Sequence, residues 1–119
     1  MDARYDIAGL GNALVDALVR LENDTVISDL GLTRGQMHPV DDSRWHECLS
    51  AVEDKGVDLQ TGGSCANTLA TLGLLGARTL YCGQVGDDRL GRVYREQLES
   101  ACGGHSLFTS KDLPTGKCL

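Results

Sequence analysis

Asp16 is the residue in this 119-residue chain that packing alone explains least well. It lies inside ALVDALVRL, an apolar and β-branched run over residues 13–21. Side chains alternate along a strand, so Asp16 shares a face with Leu14, Leu18 and Arg20. An ionised carboxylate among leucines is costly unless donors reach it. Pairing with Arg20, or exposure at a sheet edge, would meet that need. The functional alternative is an acceptor for ligand hydroxyls. A carboxylate can take one bond from each of two vicinal OH groups, which suits a ribose or another polyol.

The second group is Gly62-Gly63-Ser64-Cys65-Ala66-Asn67. Two glycines before a helix let a ligand approach the backbone while the first-turn N–H groups remain free to donate. Ser64 is the expected N-cap, and Asn67 adds a donor and an acceptor in the same turn. An ordinary capped helix start explains Gly-Gly-Ser equally well. Asn67 favours the ligand reading, because Glu or Gln there would make the better capping box.

Other candidates reduce to structure. Gly9-Leu10-Gly11 follows a strand, but Leu14 stands where a dinucleotide fingerprint needs its third glycine, so a tight turn is expected. PTGKCL fails as a phosphate loop, having Lys111 in place of Gly and Cys118 in place of Ser or Thr. Asp87 and Asp88 read as helix caps rather than metal ligands, with Gly91 allowing close packing. His38, His46 and His105 fall in different elements and are expected to be surface or satisfied histidines.

The elements that must hold these groups alternate. Residues 5–10 form a buried strand. Residues 13–40 contribute strand-like pieces, including Met37 to Val40, to a small β layer. Asp41, Asp42 and Ser43 cap a helix carrying Trp45, Cys48, Leu49 and Val52 at i, i+3, i+4, i+7, which ends near Gly56. An extended stretch over 57–61 runs into Gly62. The helix that follows buries Ala66, Leu69, Ala70 and Gly73, widened by Leu72 and Leu75, and is expected to be covered on most sides; Gly76 stops it. Residues 78–84 read as a central strand. A second helix starts at Asp87 or Asp88 and turns Leu90, Val93, Tyr94, Leu98 and Ala101 inward. Arg92–Glu96 and Arg95–Glu99 line its outer face as i, i+4 pairs. Gly103-Gly104 closes it, and residues 105–109 form a third strand. Such an order is a right-handed βαβαβ series on a parallel sheet.

Composition narrows the function. Acidic residues outnumber basic ones by 17 to 11, a net charge of −6, which argues against a nucleic-acid partner. No apolar run approaches the roughly 20 residues of a membrane span, and the N-terminus lacks the pattern of a signal peptide. Cys48, Cys65, Cys82, Cys102 and Cys118 are odd in number and include no C-x-x-C pair, so reduced thiols in a cytoplasmic protein are expected. No metal site is predicted.

In order, GLGNALVDALV, GLTRGQMHPVDD, GGSCANTLATLGLLGA and CGQVGDDRLG resemble the N-terminal part of ribokinase-like (PfkB) carbohydrate and nucleoside kinases over nearly the whole chain. Within the family the wording is most similar to bacterial adenosine-kinase-like members. Ribokinase-like and fructokinase-like members remain alternatives. The resemblance implies a doubly wound α/β sandwich with a small β-sheet lid, here formed by excursions at about 13–40, 57–61 and 115–119. Asp16 matches the carboxylate that holds sugar hydroxyls, and Asn12 stands at the mouth of the same pocket. Gly62, Gly63 and Ser64 match the residues lining the substrate, and Asn67 matches the asparagine bonding to it. ATP and Mg2+ are the implied cofactors, and a homodimer through the lid sheet is possible. The family's glycine-rich segment ending in the catalytic aspartate has no counterpart in residues 1–119. The base and the ATP half are therefore expected beyond Leu119, and the isolated segment is expected to be inactive and marginally stable. A non-catalytic binding or interaction module on the same half-fold is the alternative from another class.

Overall fold

Burial alternates along Thr79–Gly86, where Thr79, Tyr81, Gly83 and Val85 are buried and the residues between them are not until Gly86. That strand is β4, and it is central. In the computed structural model, which describes residues 4–102 and 104–119, its partners are β1 (Ile7–Leu10) and β5 (His105–Ser110). Both pairings are parallel, with Ile7 opposite Thr79 and Tyr81 opposite His105. Two helices make the crossovers, α3 (Ser64–Leu74) and α4 (Arg89–Ala101). They touch each other and the sheet, so they cover the same face. The core between them holds Val15, Leu69, Tyr81, Val85, Tyr94 and Leu98.

A second sheet of three strands has the order β3 (Asp58–Gly62), β2 (Leu14–Leu18), β6 (Gly116–Cys118). Strands β2 and β6 run parallel, with Leu14 opposite Gly116 and Asp16 opposite Cys118. Contacts divide the chain into two units: residues up to Asp16 together with Leu59–Cys118, and Ala17–Asp58 with Leu119. The second unit contains α1 (Thr25–Asp29), α2 (Asp42–Ser50) and a 3₁₀ turn, Glu53–Lys55. Asp41 caps α2 by accepting from the Arg44 N–H at 2.8 Å, and Trp45 and Cys48 are its buried residues.

Several expectations need correction. Met37 to Val40 is not a strand: Pro39 has no N–H to donate, and His38 Nε2 instead accepts from the Thr33 N–H at 3.0 Å. Residues 25–29 are helical, with Asn23 Oδ1 accepting from the Thr25 N–H. Strand β1 lies at an edge rather than buried, with Leu10 83% exposed. Helix α3 is covered on one side only, and Leu74 and Leu75 are exposed. Of the expected i, i+4 pairs on α4, Arg95 and Glu99 find partners on β5 instead. Arg95 donates to Thr109 Oγ1 at 3.1 Å, and Glu99 faces His105 Nε2 at 2.9 Å. Of the expected Gly103-Gly104 closure, Gly103 lies outside the described residues.

Asp6 and Arg78 fasten the start of β1 to that of β4. Arg78 donates from Nη2 to Oδ1 at 2.7 Å and from its backbone N–H to Oδ2 at 2.8 Å. These side-chain and backbone bonds hold the Asp6 carboxyl at about 2, below its ordinary 3.8. A carboxyl depressed by folding stabilises the protein above its unfolded value, and that contribution is lost as pH falls through the folded one. Melting curves between pH 4.5 and 2 should therefore show a smaller acid-induced drop for Asp6→Asn than for the wild type. Equal drops would mean that the pair does not contribute.

Candidate functional site

The middle strand of the small sheet carries Asp16, half-buried between buried Val15 and Ala17. Its carboxylate lies against the backbone of Gly62, the last residue of β3: a Cβ at Gly62 would stand 2.5 Å from Asp16 Oδ2 and 2.6 Å from Leu14 Cδ1. Only a residue without a side chain leaves the carboxylate where it is. Gly63 follows at φ +97°, ψ 129°, a conformation that glycine alone adopts at little cost. It turns the chain from β3 into α3 and brings its own Cα against the Asn12 carbonyl. Asn12 and Gly63 are thereby neighbours, as are Asp16 and Gly62.

Ser64 is not the N-cap that its type suggests. Gly63 takes that position, Ser64 is the first helical residue, and no side chain caps the helix. The reason is the turn. The chain needs φ > 0 immediately before the helix, which moves the cap back onto the glycine. Helical bonding begins with the Asn67 N–H donating to the Gly63 carbonyl at 3.0 Å. The N–H groups of residues 64–66 have no intrahelical acceptor, as in any first turn. Ser64 and Asn67 are exposed beside them. The turn thus sets the Asp16 carboxylate against Gly62, directly before a set of backbone donors.

Motif reading alone missed the groove next to this turn. It is lined by Leu10, Gly11, Asn12, Ala13, Gly83, Gln84, Phe108 and Gly116. Leu10, Gln84 and Phe108 lie towards the carboxyl ends of the three parallel strands. Ligands of open α/β sheets bind at that end of the strands, a rule that could have nominated these residues from the strand order. Asp88, by contrast, is the helix cap expected of it. It accepts from the Gly91 N–H at 2.8 Å, and also from the Thr115 N–H at 2.8 Å and Oγ1 at 2.7 Å. Burial pushes this carboxyl up, but the bonds from Thr115 and Gly91 outweigh it and hold the group below its usual range. Among the described residues no cluster of three or more His, Cys, Asp or Glu could hold a metal ion, and no helix is long and apolar enough to cross a membrane.

The profile of the pfkB family of carbohydrate kinases matches residues 30–119. The chain belongs to that family. No curated protein matches it, but solved structures do. An adenosine kinase from Sinorhizobium meliloti is 30% identical with a TM-score of 0.76, over 97% of this chain and 35% of that one. A probable sugar kinase from Rhizobium etli CFN 42 is 28% identical with a TM-score of 0.69, over 95% of this chain and 32% of that one. An adenosine kinase from Trypanosoma brucei brucei, 24% identical over 98% of this chain and 37% of that one, shares the fold with a TM-score of 0.80. This PfkB chain thus spans about a third of the length of the structures it matches. Its parallel sheet and small second sheet correspond to the N-terminal part of ribokinase-like adenosine kinases.

Proposed function

We propose that this chain forms the substrate-binding part of an ATP-dependent kinase that phosphorylates the hydroxymethyl group of a nucleoside or sugar, with adenosine the first candidate. The observation that carries the reading is the Asp16 carboxylate held against Gly62 immediately before the free N–H groups of α3. Asp16 accepts from two vicinal hydroxyls. The amide of Asn67 bonds to the same polyol, Asn12 borders it, and Gly62, Gly63 and Ser64 let it approach the backbone. The small sheet acts as a lid over this ligand.

Phosphoryl transfer depends mainly on positioning and on stabilising charge at the transferred group. The residues assigned here do the positioning. They present the hydroxymethyl oxygen in one orientation and exclude water from one side of the sugar. ATP and Mg2+ are the family's phosphoryl donor and its metal; neither the metal site nor the catalytic base is assigned to a residue of this chain.

Two similarities support these candidates: 30% identity with an adenosine kinase supports a nucleoside, and 28% identity with a probable sugar kinase supports a sugar. Calorimetric titration of the protein as expressed from its gene with adenosine, inosine, ribose and fructose tests the reading. Binding of at least one of the four is expected, with adenosine tightest. Failure of all four to bind would refute it.

A further inference from the structure

Helix α4 grips both outer strands of the sheet whose middle strand carries Asp16. At β3 the grip is the side-chain amide of Gln97. Its Nε2 donates to the Leu59 carbonyl at 2.8 Å, and its Oε1 accepts from the Thr61 N–H at 2.7 Å. One planar group thus fills an acceptor and a donor two residues apart on the free edge of β3, as a neighbouring strand would. Tyr94 lies three residues earlier on the same helix face. It is buried, and its phenol donates to the Gly62 carbonyl in a longer bond of 3.4 Å. At β6 the grip is Asp88, which takes both donors of Thr115, the residue that leads into Gly116. The Gly86 N–H in turn donates to Thr115 Oγ1 at 2.9 Å, so that node is tied to β4 as well.

The requirement to pack α4 on β4 and β5 is met by Gly91, Tyr94 and Leu98, its buried residues. It does not call for a long polar side chain at position 97. Fixing Gln costs rotamer entropy, which two short bonds to one strand edge offset. What those bonds define is where β3 ends, and β3 ends on Gly62.

We propose that Gln97, assisted by Tyr94 and Asp88, is a positioning residue for substrate binding: α4 holds β3 and β6 in place and so sets Asp16 against the Gly62-Gly63 turn without touching the ligand. The proposal rests on the nucleoside or sugar site argued above.

The test compares Gln97→Met, which keeps the volume but removes both bonds, with Tyr94→Phe, which removes one hydroxyl, and with exposed Glu96→Gln as control. Two quantities are read in the protein as expressed from its gene: amide exchange at Thr61, and KM and kcat for the preferred nucleoside or sugar. Gln97→Met should speed exchange at Thr61 and raise the substrate KM about tenfold, the loss of two neutral hydrogen bonds, with kcat and the KM for ATP nearly unchanged. Tyr94→Phe should raise the substrate KM less, and Glu96→Gln should change nothing. Should Gln97→Met fail to fold, Tyr94→Phe decides alone, through the same split between KM and kcat. Faster exchange with an unchanged KM would make the clamp purely structural and overturn the proposal. So would unchanged exchange at Thr61, or a fall in kcat without a rise in KM. A wild-type protein that binds no member of the panel would refute the functional reading, and with it the positioning role, even where the exchange result shows that the clamp exists.

Discussion

Asp16→Asn should raise the KM for the nucleoside or sugar more than any other single change in this chain. The carboxylate is the group that can accept from two hydroxyls at once, and on the proposed function both bonds would be charge-assisted. Asparagine keeps one acceptor and turns the other position into a donor facing a hydroxyl. Losing one charge-assisted bond and weakening the second costs about 2–4 kcal/mol, or on the order of 30- to 1000-fold in affinity. The fold should be spared, because Asn fits the same space against Gly62 and relieves any cost of burying charge on β2. Steady-state kinetics with each member of the panel, alongside a melting curve, separates the two effects. Unchanged affinity and turnover would show that Asp16 has no part in the site.

Gly63→Ala should cost more stability than the same change at another glycine of positive φ. At Gly63 the new methyl meets two obstacles: a backbone at φ +97° that L residues avoid, and the Asn12 carbonyl oxygen 2.7 Å from the Cβ position. A backbone oxygen cannot swing aside as a side-chain tip can, so either the turn or residue 12 must move. The expected loss is about 2–4 kcal/mol, combining backbone strain with overpacking. Gly76→Ala supplies the comparison. Gly76 has a similar φ of +95° but open space around it, so only the strain remains, about 1–2 kcal/mol. Denaturant unfolding of the two variants tests whether the Asn12 contact and the ψ of 129° at Gly63 raise its cost above that of Gly76. Equal losses would mean that the close approach of Asn12 and Gly63 does not constrain the turn.

Local chemistry made much of this molecule legible. Asp88 before Gly91, Gly76 after the apolar helix face, and the apolar run of β4 each announce their element through a cap, a stop or a period, and the parallel βαβαβ order follows. Asp16 and the glycine pair could be nominated because a carboxylate in an apolar strand and two glycines before a helix are locally unexpected. What stayed hidden depends on residues far apart in sequence. Nothing around Gln97 says that its amide will meet Leu59 and Thr61, and nothing around Thr115 points back to Asp88. Ser64 shows the same limit at short range. Its type suits a cap, but the backbone turn demanded by the approach to Asn12 moves the cap to Gly63. Met37 to Val40 has strand-forming ends, yet Pro39 and the bond between Thr33 and His38 keep it irregular. Pairs such as Arg95–Glu99 satisfy helical spacing, but Thr109 and His105 on β5 offer closer partners once the sheet is assembled.

On the proposed function, one small region, from Asn12 to Asp16 and from Gly62 to Asn67, receives the hydroxyls of a nucleoside or sugar. Backbone amide NMR shifts followed during titration with adenosine, and then with ribose and fructose, test it most directly. The largest changes should fall on Asn12, Asp16, Gly62, Gly63, Ser64 and Asn67, and Asp16→Asn should remove them at the same ligand concentration. Changes centred elsewhere in the chain, or a saturable response that survives in Asp16→Asn, would contradict it.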